Sequence, residues 1–308
     1  MIHKLQSIER QSLTVGVVAN LVMALSGWAT FYLSGSEALL LDGNFSFIMF
    51  LSSIAALKVA EIKTRRSHTF PFGLFITEAL YSLVKGLLIG GVLLAAIIGN
   101  VSKIVQYING SELPPLKTGP ILIYSIAMVI ICFGLSLFYH YQNKQVGNKS
   151  SMLSIDKSAS LVDGFMSAGT GAALVIIGYV NADGGWGFLL YIGDAIMVLI
   201  LACLMIKQPV SIVRNAFIEM AGGQLQNQQD YQQIESTISD SLTAQTLKQE
   251  ALFISKTGSS YLVVLSFSAE QLTSTDSDAL QTAKNGIRQQ LSQTFPHIDV
   301  EFVLASRE

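Results

Sequence analysis

The phrase Asp-Gly-x-x-Ser occurs twice, at Asp42–Ser46 (DGNFS) and at Asp163–Ser167 (DGFMS), each time inside a long apolar run. A carboxylate in an apolar segment of membrane-spanning length is costly, and such groups mark ion or proton routes or pair with a neighbour. On a helix, positions i and i+4 share a face, so each phrase sets a carboxylate and a hydroxyl along one stripe. Two such stripes facing each other in a helical bundle offer a small cation oxygen atoms in place of its water.

The elements that must carry these stripes are spans. Of 308 residues, 51% are hydrophobic and 13% charged, about half the ~25% charge of an average soluble domain. A spanning helix needs about 20 apolar residues. Six windows qualify: Leu13–Leu33, Ala38–Leu57, Ala79–Ile98, Gly119–Tyr139, Ser158–Val180 and Gly187–Ile206. Asp42, Lys85, Asp163 and Asp194 are the charges inside them. The first window follows a polar start and reads as a retained span rather than a signal peptide. Lys4 and Arg10, then Lys63, Arg65 and Arg66, then Lys144 and Lys149, then Lys207 and Arg214 all fall on one side. This bias places both termini in the cytoplasm. The net charge of -2 gives no reason to expect nucleic acid as a partner. Cys132 and Cys203 lie in apolar runs without a CxxC and read as small buried side chains.

After Pro209 the chain turns polar and Gln-rich, so a six-span domain over residues 1–209 and a second domain over 210–308 are expected. Ile234, Ile238 and Leu242 mark a helix over Asp230–Leu242. Leu252–Ser255 and Tyr261–Phe267 read as strands around the turn KTGSS. Asp276–Thr294 carries Ala279, Ala283, Ile287 and Leu291 on one face, and Ile298–Leu304 alternates as a closing strand. The order α-β-β-α-β predicts a small α+β, ferredoxin-like domain.

This layout resembles the cation diffusion facilitator family. EALLLDGNFSFIMF (Glu37–Phe50) is similar to that family's second-span motif, and HTFPFGLFITEAL (His68–Leu80) to its loop leading into the third span. SLVDGFMSAGT (Ser160–Thr170) resembles the start of its fifth span, and the tail resembles its C-terminal domain. The resemblance implies a homodimeric antiporter in a bacterial cytoplasmic membrane, exporting a divalent metal cation against protons. It implies no cofactor, the metal being cargo. The family's four ligands fall on Asp42, Ser46, Met166 and Thr170, of which only Asp42 keeps a carboxylate. None of His3, His68, His140 and His297 lies in a span core, and zinc favours nitrogen and sulfur ligands. An oxygen-lined site for manganese, iron(II), cobalt or magnesium is therefore expected. The tail lacks the family's metal-binding histidines and reads as a dimerisation module. His68 and Glu78 flank a loop that in the family can hold a second metal, but a solvated histidine is the simpler reading.

Asp42 is expected to be the principal ligand and proton-exchange group, with Ser46, Thr170, Asp163 and Ser167 completing the route. At ~1.5 Å per residue Asp42 lies about 6 Å from one membrane face and Asp163 about 7 Å from the other. Across ~30 Å of hydrocarbon that sets the two acids in different halves. Lys85 falls near the level of Asp163, so Asp163 has two readings: a wall of the route or the partner of Lys85. Asp194 shares the half of Asp42 and is placed to share its cation. Asn44, off the Asp42 stripe, reads as a helix contact, and Trp28 and Trp186 as interfacial anchors. Two rivals stand beside transport. A transport-inactive scaffold or dimer partner fits the missing ligands. An intramembrane enzyme finds no nucleophile–base pair and no HExxH.

Overall fold

The structure, a computed structural model, describes residues 2–70, 73–145, 151–181, 184–243, 248–295 and 297–305. Pro71 and Phe72 of the loop motif, Lys149, and residues 182–183 lie outside the described residues. Six long helices are apolar enough to cross a membrane: α1 (Ile2–Ser34), α2 (Glu37–Ile62), α3 (Ile76–Ile108), α4 (Thr118–Gln145), α5 (Ser151–Gly178) and α6 (Leu189–Met205). They coincide with the six expected spans; α1 to α4 run past theirs at both ends and α5 at its start, because polar flanks such as Ser151–Lys157 continue the helix, whereas α6 lies within its window. Helix α7 (Lys207–Met220) follows almost directly. Pro209 does not stop it, since a proline in the first turn has no intrahelical N–H bond to lose.

By contacts the chain forms two compact units. One comprises Met1–Ala55 with Lys85–Val210, the other Ala56–Val84 with Ser211–Glu308. In the first unit the core is built by Met23, Leu39, Leu41, Ile48, Ile89, Leu93, Ile121, Met128 and Leu174. Without water to expel between helices, spans associate through close packing of small residues. The closest pairing is α4 against α5, and it follows a seven-residue rhythm. A Cβ on Gly164 would press on Cys132 and Phe133, and one on Gly178 would meet Thr118 Cγ2. Between these, one on Gly171 would collide with Ser125 Oγ. Gly164, Gly171 and Gly178 thus face Cys132, Ser125 and Thr118, an antiparallel seam of small residues. A second close crossing joins α1 to α2, where a Cβ on Gly27 would lie 2.7 Å from the Gly43 Cα. The glycine of each Asp-Gly-x-x-Ser phrase is thereby explained: it lets a neighbouring helix approach beside the acid. Trp28 Nε1 donates to Asn44 Oδ1 at 2.9 Å across the same α1–α2 contact. Asn44 is a helix contact as expected, whereas Trp28 is pinned to it instead of serving only as an interfacial anchor.

In the second unit, α8 (Gln228–Thr243), β1 (Ala251–Thr257), β2 (Ser260–Phe267), α9 (Ala269–Ser274), α10 (Ser277–Ser292) and β3 (Ile298–Leu304) form a three-stranded mixed sheet with helices. The strand order is β1-β2-β3, with β1 antiparallel and β3 parallel to β2. Ile234, Ile238 and Leu242 of α8 and Ile287 and Leu291 of α10 bury against Ile254, Val263, Leu265, Phe267, Ile298 and Val300 on one sheet face. The expected α-β-β-α-β order is present, with α9 added before the second helix. The same unit holds the ends of α2 and α3. There Lys63 Nζ donates to Glu78 Oε1 at 2.8 Å and to Ser259 Oγ at 3.1 Å, and the Ser259 N–H donates to Glu78. Glu78 is a tie between its own loop and the KTGSS turn. His68 is exposed, as a solvated loop histidine should be.

A carboxylate cavity as candidate cation site

The stripe on α2 carries Asp42, Ser46 and Met49 at spacings of four and three, so all three face the same way. On α5 the same rule groups Ala159, Asp163, Met166 and Thr170, with Ser167 at the flank. Both stripes open into one cavity of about 590 Å³ within the first unit. Asp42, Ser46, Asp163, Ser167 and Thr170 all line it, as does Met166. A volume this far above the ~30 Å³ of one water molecule admits a cation together with part of its hydration shell.

The two acids therefore meet in one cavity, and the expectation that they occupy different halves is wrong. The error lies in where the fifth span begins. Helix α5 starts at Ser151, seven residues before the expected Ser158, so Asp163 is twelve residues, about 18 Å, inside its helix. Asp163 is within electrostatic reach of Asp42. Lys85 is not its partner. That lysine is coupled to Asp156, one heptad before Asp163 on α5, and among the described residues no ion pair joins Lys85 to Asp163.

Asp194 does not line this cavity. It is buried at 2% exposure and accepts from Ser36 Oγ at 2.7 Å, Glu37 N–H at 2.6 Å and Ala38 N–H at 3.3 Å. These donors are the start of α2, whose first N–H groups have no partner within the helix. Asp194 caps α2 from α6, and all three of its bonds are spent on that task. The expected sharing of a cation with Asp42 has no geometric basis.

Sequence reasoning missed Tyr124. Its hydroxyl donates to Asp42 Oδ2 at 2.6 Å, and the ring is buried on α4. Among the described residues no other side chain donates to Asp42, so Oδ1 is left for the cavity. A lone tyrosine in the middle of the apolar run ILIYSIAMVI was the available signal. Sulfur was missed as well. Cys132, buried as expected, lines the cavity beside Met23, with 3.9 Å between their sulfur atoms, whereas Cys203 is exposed. Among the described residues no three His, Cys, Asp or Glu side chains converge on one point.

Two comparisons bear on this arrangement. A family model described as the cation efflux transmembrane domain matches residues 13–220. The manganese efflux system protein MneP of Bacillus subtilis (strain 168) is 27% identical over 220 residues, 70% of this chain and 69% of that protein.

Proposed function

The chain belongs to the cation efflux, or cation diffusion facilitator, family, and from that premise we propose that it exchanges a divalent metal cation for protons across a bacterial cytoplasmic membrane. The cargo is an ion of the manganese, iron(II), cobalt or magnesium class, moved outward. The observation that carries this reading is the shared cavity of Asp42 and Asp163. Two carboxylates held together away from bulk water repel each other strongly unless neutralised. One divalent cation neutralises them, and so do two protons, but not both at once. Competition for the same oxygens is what couples an outward cation to inward protons in an alternating-access cycle.

Each residue has a defined part. Tyr124 fixes Asp42 through Oδ2 and leaves Oδ1 to the ion. Asp163 supplies the opposing carboxylate from α5. The hydroxyls of Ser46, Ser167 and Thr170 extend the oxygen lining along both stripes. Water completes the coordination shell, in keeping with the reluctance of small divalent ions to dehydrate fully. The manganese named for the Bacillus relative supports this class of ion. The homodimer is also proposed. What supports it is the outer face of the C-terminal sheet, where Phe253, Leu262 and Val303 are exposed on the side opposite the core. In this reading both termini are cytoplasmic.

The test is purified protein in sealed vesicles, with uptake of Mn2+, Fe2+, Co2+ and Mg2+ followed beside an internal pH dye. Cation entry with opposite proton movement is expected, and its loss in Asp42→Asn and in Asp163→Asn. Flux unaltered in Asp42→Asn would sink the assignment. No cation flux for any ion would favour the transport-inactive scaffold instead.

A further inference from the structure

Two opposite charges flank the cavity without lining it. On α5 the lining begins at Ser158, and Asp156 lies just before it. Asp156 precedes Ala159 by three residues and Asp163 by seven, so it continues the stripe of the α5 carboxylate. On α3 the lining residue is Ile89, and Lys85 stands four positions earlier on the same face. In six successive spans α3 and α5 run the same way, so both charges lie towards the end of the bundle where these helices begin. Lys85 and Asp156 are half-buried and within electrostatic reach of each other, yet among the described residues no ion pair joins them. A lone lysine in an apolar run can reach for the membrane surface with its long stem. That does not account for an acid set at the same end of the cavity on a second helix.

The helices that carry the two charges belong to separately packed couples. Helix α5 is seamed to α4 along its glycines, whereas α3 lies along α6. There Tyr107 stacks on Tyr191, and a Cβ on Gly90 would meet Pro209 just beyond α6. The couples touch at the far end of α5, where a Cβ on Gly193 of α6 would lie 3.0 Å from Ile177 Cδ1. At the end where α5 begins the cavity parts them. Ser158, Ala159 and Gln208 line it there and are exposed, as the walls of an open mouth are. An ion pair held away from water sets its attraction against the hydration both charges lose, so forming and parting differ little in free energy. That balance suits a switch better than a permanent tie. We propose that Lys85 and Asp156 are the latch of this mouth: they meet as an ion pair when α3 and α5 close over the cavity, and part when it opens. In the orientation proposed above the mouth is cytoplasmic. The inference rests on the transport reading and adds to it two residues that hold no cargo.

The test is Mn2+ uptake into sealed vesicles by Lys85→Gln, by Asp156→Asn and by the charge swap Lys85→Asp/Asp156→Lys. Each single variant should lower the maximal rate about tenfold, within the range by which contacting pairs couple, and leave the half-saturating Mn2+ unchanged. The swap should recover most of the rate. A pair that merely ties two helices would give the same pattern, so motion is read separately. In Lys85→Cys/Asp156→Cys a short, cleavable bifunctional thiol reagent should stop uptake relative to wild type treated alike, and reductive cleavage should restore it. Uptake that continues in the crosslinked protein overturns the latch, and so does a single variant with wild-type kinetics. Either result leaves transport standing. Should a single variant not fold, the swap and the crosslink decide. No uptake of any cation by wild type overturns latch and transport together.

Discussion

Three acids lie within the apolar windows of the spans, and neighbouring donors give them different fates. Asp194 is met by one hydroxyl and two backbone N–H groups, so its charge is consumed in holding the start of α2. Asp42 is met by one phenol and Asp163 shares its cavity, so both keep oxygen for a cation. The consequence is testable with two substitutions that should behave in opposite ways. Asp194→Ala leaves buried donors unpaired and should cost about 1–3 kcal/mol of stability, seen as a lower melting temperature in detergent. Ion preference in the protein that remains folded should be unchanged. Tyr124→Phe keeps the ring and loses only the bond to Asp42. It should melt near wild type, yet need about tenfold more cation for half-maximal uptake, as loss of an orienting partner around a metal ligand does. If both variants fail in the same assay, the separation of roles is wrong. The sequence displayed the acids but not their donors, because a hydrogen bond across 82 positions leaves no local pattern.

At the level of elements, the seam between α4 and α5 sets the width of the cavity beside Asp163. Gly171 has no space for a side chain: a Cβ there would collide with Ser125 Oγ. Alanine would add up to ~1 kcal/mol of helix propensity, but forcing the helices apart costs about 1–3 kcal/mol. Gly171→Ala should therefore destabilise the protein and reduce uptake. Adding Ser125→Gly should restore much of both, a coupling that a double-mutant cycle measures directly. In the tail, Tyr261 on β2 donates to Asp230 on α8 at 3.0 Å, and burial, then this bond, push its phenol above the usual tyrosine range. A raised folded value favours the native state fully below the unfolded value and is lost as pH climbs. Unfolding should thus ease above pH ~10, with the alkaline slope flattened in Tyr261→Phe. Of these elements the six spans, α8, the three strands and α10 were legible from apolar length and period alone. Helix α7 was missed because it is amphipathic and polar overall, with Pro209 read as a stop. The early start of α5 was missed because SMLSIDK reads as a loop, and that single misplacement put Asp163 in the wrong half of the bundle. The glycine seam was written openly in the seven-residue spacing of Gly164, Gly171 and Gly178, a pattern that acid-centred reading passed over.

At the scale of the whole molecule, the charges along the proposed route set how many protons one cation can exchange for. Lys85 and Asp156 lie within electrostatic reach of each other, and Asp194 is committed to its cap. Under the proposed exchange, the groups left to trade cation for protons are Asp42 and Asp163, two carboxyl groups lining one cavity. A site that swaps one divalent cation for two protons carries no net charge across the membrane in a full cycle. Transport should then follow the pH gradient and ignore the membrane potential. With one proton per cation, one positive charge would cross for each turnover, worth ~2.3 kcal/mol per 100 mV. That energy corresponds to about a fiftyfold change in the accumulation the gradient sustains, since each ~1.4 kcal/mol is tenfold. Vesicles clamped at 0 and 100 mV with potassium and valinomycin, at a fixed pH difference, separate the two cases. Equal Mn2+ accumulation at both potentials supports the two-carboxylate exchange. A fiftyfold difference would show that one of the pair, Asp42 or Asp163, does not release its proton in the cycle.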